Sequence, residues 1–132
     1  MGTYILLIDD DSEDIELMTE TILSIDQSSS VISFLNPLEA IQYLTTASLL
    51  PTLVILDINM PQLNGEGCLK RIRAIQGFES VSIVMQSTAL PELGMIEKYK
   101  ELGAIFVQKP STYQQLKLML TKLLAQIQEV TK

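Results

Sequence analysis

Tyr4-Ile5-Leu6-Leu7-Ile8-Asp9-Asp10-Asp11 sets the pattern of the chain: an unbroken apolar run that stops abruptly at acids. The pattern recurs. Leu53-Val54-Ile55-Leu56 runs into Asp57, Val81 to Gln86 ends at Ser87, and Ala104 to Gln108 ends at Lys109-Pro110. These runs do not alternate apolar and polar residues, as is expected of strands covered on both faces. Segments of helical spacing lie between them, so strand-like and helix-like stretches alternate along the chain. Such βαβ alternation predicts an α/β fold, a parallel sheet with helices on both faces. All strand ends of a parallel sheet share one edge, and open α/β folds bind ligands there. Asp9, Asp10, Asp57, Ser87 and Lys109 are therefore expected to meet.

The helices carry their own punctuation. Ser12 reads as the cap of the first, with Glu13, Asp14 and Glu16 in its first turn. Ile15, Met18, Ile22 and Ile25 form its apolar stripe. Asp11 is assigned to capping or solvation rather than to ligand binding. Val31 to Leu35 is the second strand, and Asn36-Pro37 opens a helix buried through Leu38, Ile41 and Leu44 or Tyr43. The third helix follows the loop Met60 to Gly65; it should bury Leu69, Ile72 and Ile75 and leave Lys70, Arg71 and Arg73 in water. Pro91 and Glu92 open a short fourth helix, which Gly103 caps. The last helix, about Tyr113 to Val130, should bury Leu116, Met119, Leu120, Leu123, Ile127 and Val130, with Leu118 on its opposite face.

Composition narrows the function. A chain of 132 residues, 47% of them hydrophobic, suits one domain spanning 1–132. A net charge of −7 disfavours direct nucleic-acid binding. No apolar stretch approaches the ~20 residues of a membrane span, and no signal-peptide pattern opens the chain, so a cytoplasmic location is expected. Leu6 stands where a myristoylation motif needs Ser or Thr. Cys68 is the only cysteine and reads as a small helix residue. Histidine is absent, which excludes Ser-His-Asp and Cys-His catalysis, the usual zinc sites, and a phosphohistidine on this chain.

Clustered carboxylates need relief. Two of them ~5 Å apart at an effective dielectric near 20 repel by about 3 kcal/mol. They take up protons or bind a cation. With oxygen donors only, that cation is Mg²⁺, Mn²⁺ or Ca²⁺, and Mg²⁺ is favoured because it keeps waters and accepts a phosphate oxygen. An Asp beside such a metal can attack phosphorus and form an acyl phosphate. Lys109, the Ser87 hydroxyl and the backbone N–H groups after Asp57 would then serve as donors to the phosphoryl oxygens.

Ile8-Asp9-Asp10, Asp57-x-Asn59-Met60-Pro61 with Gly65, Ser87-Thr88 and Lys109-Pro110 resemble the receiver domain of bacterial two-component response regulators. The successive intervals of 47, 30 and 22 residues between Asp10, Asp57, Ser87 and Lys109 suit that family, and the resemblance covers essentially the whole chain. It implies a doubly wound, flavodoxin-like five-stranded parallel sheet of order 2-1-3-4-5. It implies that Asp57 is the phosphoacceptor, and that Asp10, Asp9, Asp57 and the backbone carbonyl of Asn59 bind the metal. Ser87 would bond to the phosphoryl group and move with it, and Lys109 would pair with a phosphoryl oxygen. Phe106 occupies the place of an aromatic that swings inward, although a fixed core residue fits it equally. Pro110 and Gly65 are structural, Pro110 commonly through a cis bond. Gln86 and Gln108 stand where apolar residues are common, and Ser82 where proline is frequent.

The resemblance further implies a sensor histidine kinase or histidine phosphotransfer protein as donor, a downstream protein target, and a possible homodimer through the fourth and fifth helices. The product of such a chain is an interaction rather than a metabolite. One rival is a phosphorylation-independent interaction module of the same fold, against which the intact acid set argues. Another is an aspartyl-phosphate hydrolase, but no insertion is long enough for its lid. A nucleotide or flavin site is poorly supported, since no glycine-rich loop follows the first strand.

Overall fold

Strands and helices alternate from one end of the chain to the other. In the computed structural model, which describes residues 3–131 and side chains through residue 127, they are β1 Tyr4–Ile8, α1 Ser12–Ile25, β2 Ser30–Phe34, α2 Pro37–Thr46, β3 Leu53–Asp57, α3 Gly65–Arg73, β4 Ser82–Ser87, α4 Met95–Glu101, β5 Ala104–Gln108 and α5 Tyr113–Thr131. A 3-10 turn, Phe78–Ser80, precedes β4. The strands form one parallel sheet in the order β2-β1-β3-β4-β5, as expected.

Alternate residues of a strand point to opposite faces, so the sheet carries two cores. Leu6, Ile8, Val54, Leu56, Ile83 and Met85 pack with Ala40, Leu44, Cys68, Leu69, Ile72 and Tyr99 from α2, α3 and α4. Ile5, Leu7, Leu53, Ile55 and Val84 pack on the other face with residues of α1 and α5. Burial pushes the Cys68 thiol up to about 12, against a small opposing pull from Arg71, which keeps it an inert core residue. Among the described residues no helix is long and apolar enough to cross a membrane.

Several local expectations are corrected. Asp11, not Ser12, caps α1: its Oδ1 accepts from the N–H groups of Glu13 at 2.9 Å and Asp14 at 3.3 Å. Ile25 and Met119 are only partly buried. In α2 the inward stripe is Pro37, Ala40 and Leu44, while Leu38 is 43% exposed and Ile41 and Tyr43 are partly covered. That helix covers an edge strand, where a narrow stripe suffices. β2 runs one residue earlier than expected and leaves Leu35 exposed. Ile75 lies beyond the end of α3 and packs on the core from the following turn. Leu118 is exposed as expected, and the side chain of Val130 lies outside the described ones.

Arg73 does not stay in water. Its guanidinium donates to four carbonyls: Nε to Leu102 at 2.8 Å, Nη1 to Phe78 at 2.6 Å and Val81 at 2.8 Å, and Nη2 to Gly103 at 2.9 Å. These carbonyls lie at the 3-10 turn and the end of α4, where a cation also meets the negative pole of the helix. Gly103 has φ +75°, and a Cβ there would lie 3.2 Å from Arg73 Nη2. The Arg73→Met protein, which keeps the apolar stem, is expected to lose about 2–4 kcal/mol in urea unfolding, because three partly buried carbonyls lose a charged donor. A loss below about 0.5 kcal/mol, the level of an ordinary surface substitution, would contradict this role.

Candidate acidic site at the strand ends

The strand register brings the expected residues to one edge. Ile8 lies beside Leu56, Asp57 beside Gln86, and Ser87 beside Gln108. The ladder continues past the strands. Asp9 N–H donates to Phe34 O at 3.1 Å, Ile58 N–H to Gln86 O at 2.9 Å, and Lys109 N–H to Ser87 O at 2.7 Å. Asp9 and Asp57 are consequently held by backbone and buried, while Asp10 is exposed. One carboxylate oxygen from each of Asp9, Asp10 and Asp57 lies within 4.8 Å of the others.

Lys109 reaches into this group. Its Nζ lies 2.9 Å from Asp9 Oδ2, 2.9 Å from Asp14 Oδ2 and 3.3 Å from Asp57 Oδ2. The second oxygens of the two buried acids are taken by backbone: Asp9 Oδ1 accepts from Asp11 N–H and Asp57 Oδ1 from Asn59 N–H, both at 3.0 Å. Burial pushes the Asp9 carboxyl up to about 6; the Asp11 N–H and Lys109 oppose this without prevailing, and the Asp57 charge adds to it. Burial acts against the Lys109 ammonium too, but its bonds to Asp14 and Asp9 and the charges of Asp9 and Asp57 outweigh that and hold its pKa above the ordinary value. The carboxylates of Asp9, Asp10, Asp14 and Asp57 outnumber the one ammonium by three charges. Oxygen-only donors and surplus negative charge fit a hard divalent cation.

Asp14 is the residue that sequence reasoning left out. Placing the cap at Ser12 put it second in the helix. With Asp11 as the cap it is third, the position from which a side chain folds back over the helix start. A correct cap assignment was the missing signal.

The remaining expected residues sit around the acids. Ser87 is buried, and its Oγ donates to Ala89 O in the following loop. Asn59 is exposed in the β3–α3 loop. Gly65 closes that loop, its N–H donating to Ile58 O at 2.8 Å; a Cβ there would lie 2.8 Å from Ile58 Cα, so only glycine fits. Phe106 is partly buried against the core beneath α4. Gln86 lies under α1 with Nε2 3.5 Å from Met18 Sδ, and Gln108 Nε2 holds Thr88 O at 2.9 Å. The two departures from apolar residues thus each gain a polar contact. Lys109–Pro110 is trans, with no cis bond among the described residues, correcting the expectation for Pro110. Trans is the intrinsically favoured isomer. Beside the acids a cavity of about 390 Å³ is lined by Asn59, Gly65, Ser87, Leu90, Met95 and Tyr99, among others.

Comparison with known proteins adds independent findings. Residues 5–121 match the family model of the response regulator receiver domain. The chain is 32% identical over 100 residues to sporulation initiation phosphotransferase F of Bacillus subtilis (strain 168), a match covering 76% of each protein. Its fold is similar to that of the phosphorylated cyanobacterial phytochrome response regulator RcpA, with TM-score 0.81, 23% identity, and 93% of this chain and 91% of that one covered. It is likewise similar to the Mn²⁺-bound form of response regulator Rcp1, with TM-score 0.80, 23% identity and coverage of 92% and 91%.

The raised Asp9 pKa fixes a sign. In the folded protein this carboxyl holds its proton up to about pH 6, against 3.8 ordinarily, so its ionised form opposes folding above that pH. The penalty fades as pH falls through 6. Asp9→Asn keeps an acceptor for the Asp11 N–H and should stabilise the metal-free protein by about 1–3 kcal/mol at pH 7.5, with the gap shrinking by pH 5. Urea unfolding at the two pH values measures it; a mutant less stable at pH 7.5 than at pH 5, relative to wild type, would reverse the sign.

Proposed function

Because the chain belongs to the response regulator receiver domain family, we propose that Asp57 accepts a phosphoryl group from a partner's phosphohistidine and thereby switches a protein-interaction surface. The observation that carries this is the Lys109 ammonium spanning Asp9 and Asp57, buried acids from separate strands. A receiver domain is a signalling element and not a metabolic enzyme. Receiver domains work with histidine kinases, and the donor here is a sensor histidine kinase or a histidine phosphotransfer protein, since this chain has no histidine. We place it in the cytoplasm, as one receiver unit over residues 1–132.

A carboxylate oxygen of Asp57 forms the bond to phosphorus as the bond from phosphorus to the donor imidazole nitrogen breaks. Asp10, Asp9, Asp57 and the Asn59 backbone carbonyl would hold Mg²⁺, with Mn²⁺ or Ca²⁺ as substitutes; the Mn²⁺-bound Rcp1 supports a divalent ion in this fold. When bound, such an ion would supply positive charge to offset the charge on the phosphoryl group during transfer. Lys109 donates to a second phosphoryl oxygen. Ser87 exchanges its bond to Ala89 O for one to the phosphoryl group, and Phe106 follows inward. Hydrolysis of the acyl phosphate resets the site.

The switched surface comprises α4, β5 and the β4–α4 loop. It binds a downstream protein or a second copy of the chain. Incubating wild type and Asp57→Asn with acetyl phosphate, with and without Mg²⁺, tests the reading by mass spectrometry. Wild type should gain one phosphoryl group only with metal, and the mutant none. Folded wild type that stays unmodified, or a mutant modified equally well, would sink the proposal.

A further inference from the structure

Lys109 has three N–H bonds to give, and three carboxylates occupy them. The distances are unequal. Asp9 and Asp14 hold the ammonium at 2.9 Å, Asp57 at 3.3 Å, so it is drawn toward α1 and away from the strand end of β3. The two closer acids also differ. Asp9 is buried, bonded to the Asp11 N–H, and belongs to the carboxylate triple that can share a metal. Asp14 stands outside that triple on the first turn of α1, 40% exposed, and Lys109 is its carboxylate's only hydrogen-bond partner among the described residues.

We propose that Asp14 is a positioning residue that tethers Lys109 to α1 and so restrains the phosphorylated state of Asp57. The inference rests on the receiver reading and adds a residue to it. Phosphorylation carries the negative charge at position 57 outward by the length of an acyl-phosphate linkage. The ammonium must follow, and it then gives up a bond. The bond to Asp14 is the one that pulls it backward, and its half-exposed carboxylate is the one that water can resolvate. Every stabilising contact of Lys109 with a phosphoryl group is made at the expense of this tether. The Asp14 charge also faces the incoming anion. Both effects have the same sign: the carboxylate at position 14 favours the unmodified protein.

Beryllofluoride affinity at saturating Mg²⁺ tests this, with four proteins compared: wild type, Asp14→Asn, Asp14→Glu and Glu13→Gln. Asp14→Asn should bind about threefold to tenfold more tightly, the range of one partly exposed ion pair. Asp14→Glu, with a carboxylate still in reach, should stay within about twofold of wild type. Glu13→Gln removes a charge from the same turn without touching Lys109 and should also stay near wild type. Equal or weaker binding by Asp14→Asn, an Asp14→Glu protein as tight as Asp14→Asn, or an equal gain in Glu13→Gln would each overturn the tether. If wild type itself binds no beryllofluoride with Mg²⁺, the receiver reading falls and takes this inference with it. If wild type binds and Asp14→Asn merely unfolds at lower urea with unchanged affinity, only the tether fails.

Discussion

One ammonium holds together carboxylates that would otherwise push the strand ends apart. Lys109, just beyond the fifth strand, spans the sheet edge to reach Asp9 beyond β1, Asp57 at the end of β3 and Asp14 on α1. No segment of the chain supplies two of those partners through a single strand. The contact exists only because β1 and β3 are neighbours and because β5 runs parallel to them, so that all polar ends face one way. Even so, the neutralisation is incomplete. A buried ion pair with surplus negative charge is a poor source of stability, and such perturbed acid clusters concentrate at functional sites.

The site is joined to the rest of the molecule through backbone. Lys109 N–H donates to Ser87 O, and the Ser87 hydroxyl donates to Ala89 O, so the polar ends of β4 and β5 are linked to the loop leading into α4. The other end of α4 is fastened by Arg73, whose guanidinium holds the carbonyls of Leu102 and Gly103. The loop before α4 carries exposed Leu90 and Leu93 and few restraining bonds.

Much of this was legible in the residues themselves. Unbroken apolar runs ending at Asp9, Asp57, Ser87 and Lys109 announced a parallel sheet with a polar edge, because side chains buried on both faces leave no period-2 pattern. The order of the strands was not legible from pattern; it came with the family resemblance. The errors were ones of phase. Ser12 and Asp11 are both good caps, and taking the wrong one shifted α1 by one position, which hid Asp14 from the site. In α2 the same ambiguity made Leu38 look buried, when Pro37 and Ala40 face the sheet. Arg73 misled for a different reason. A charged residue on a basic turn reads as solvated, and carbonyls from residues 78, 81, 102 and 103 are invisible until the chain is folded.

The central physical claim is that the carboxylates at positions 9, 10 and 57 form one cation site whose repulsion is relieved by a divalent metal. Titrating the metal-free protein with Mg²⁺ while following its thermal unfolding midpoint tests it most directly, because a ligand that binds only the folded state raises stability with the logarithm of its concentration. The midpoint should climb steadily with Mg²⁺ and keep climbing when NaCl holds ionic strength constant. A midpoint that stays flat, or that NaCl alone raises equally, would show that these acids share no metal and would contradict the account.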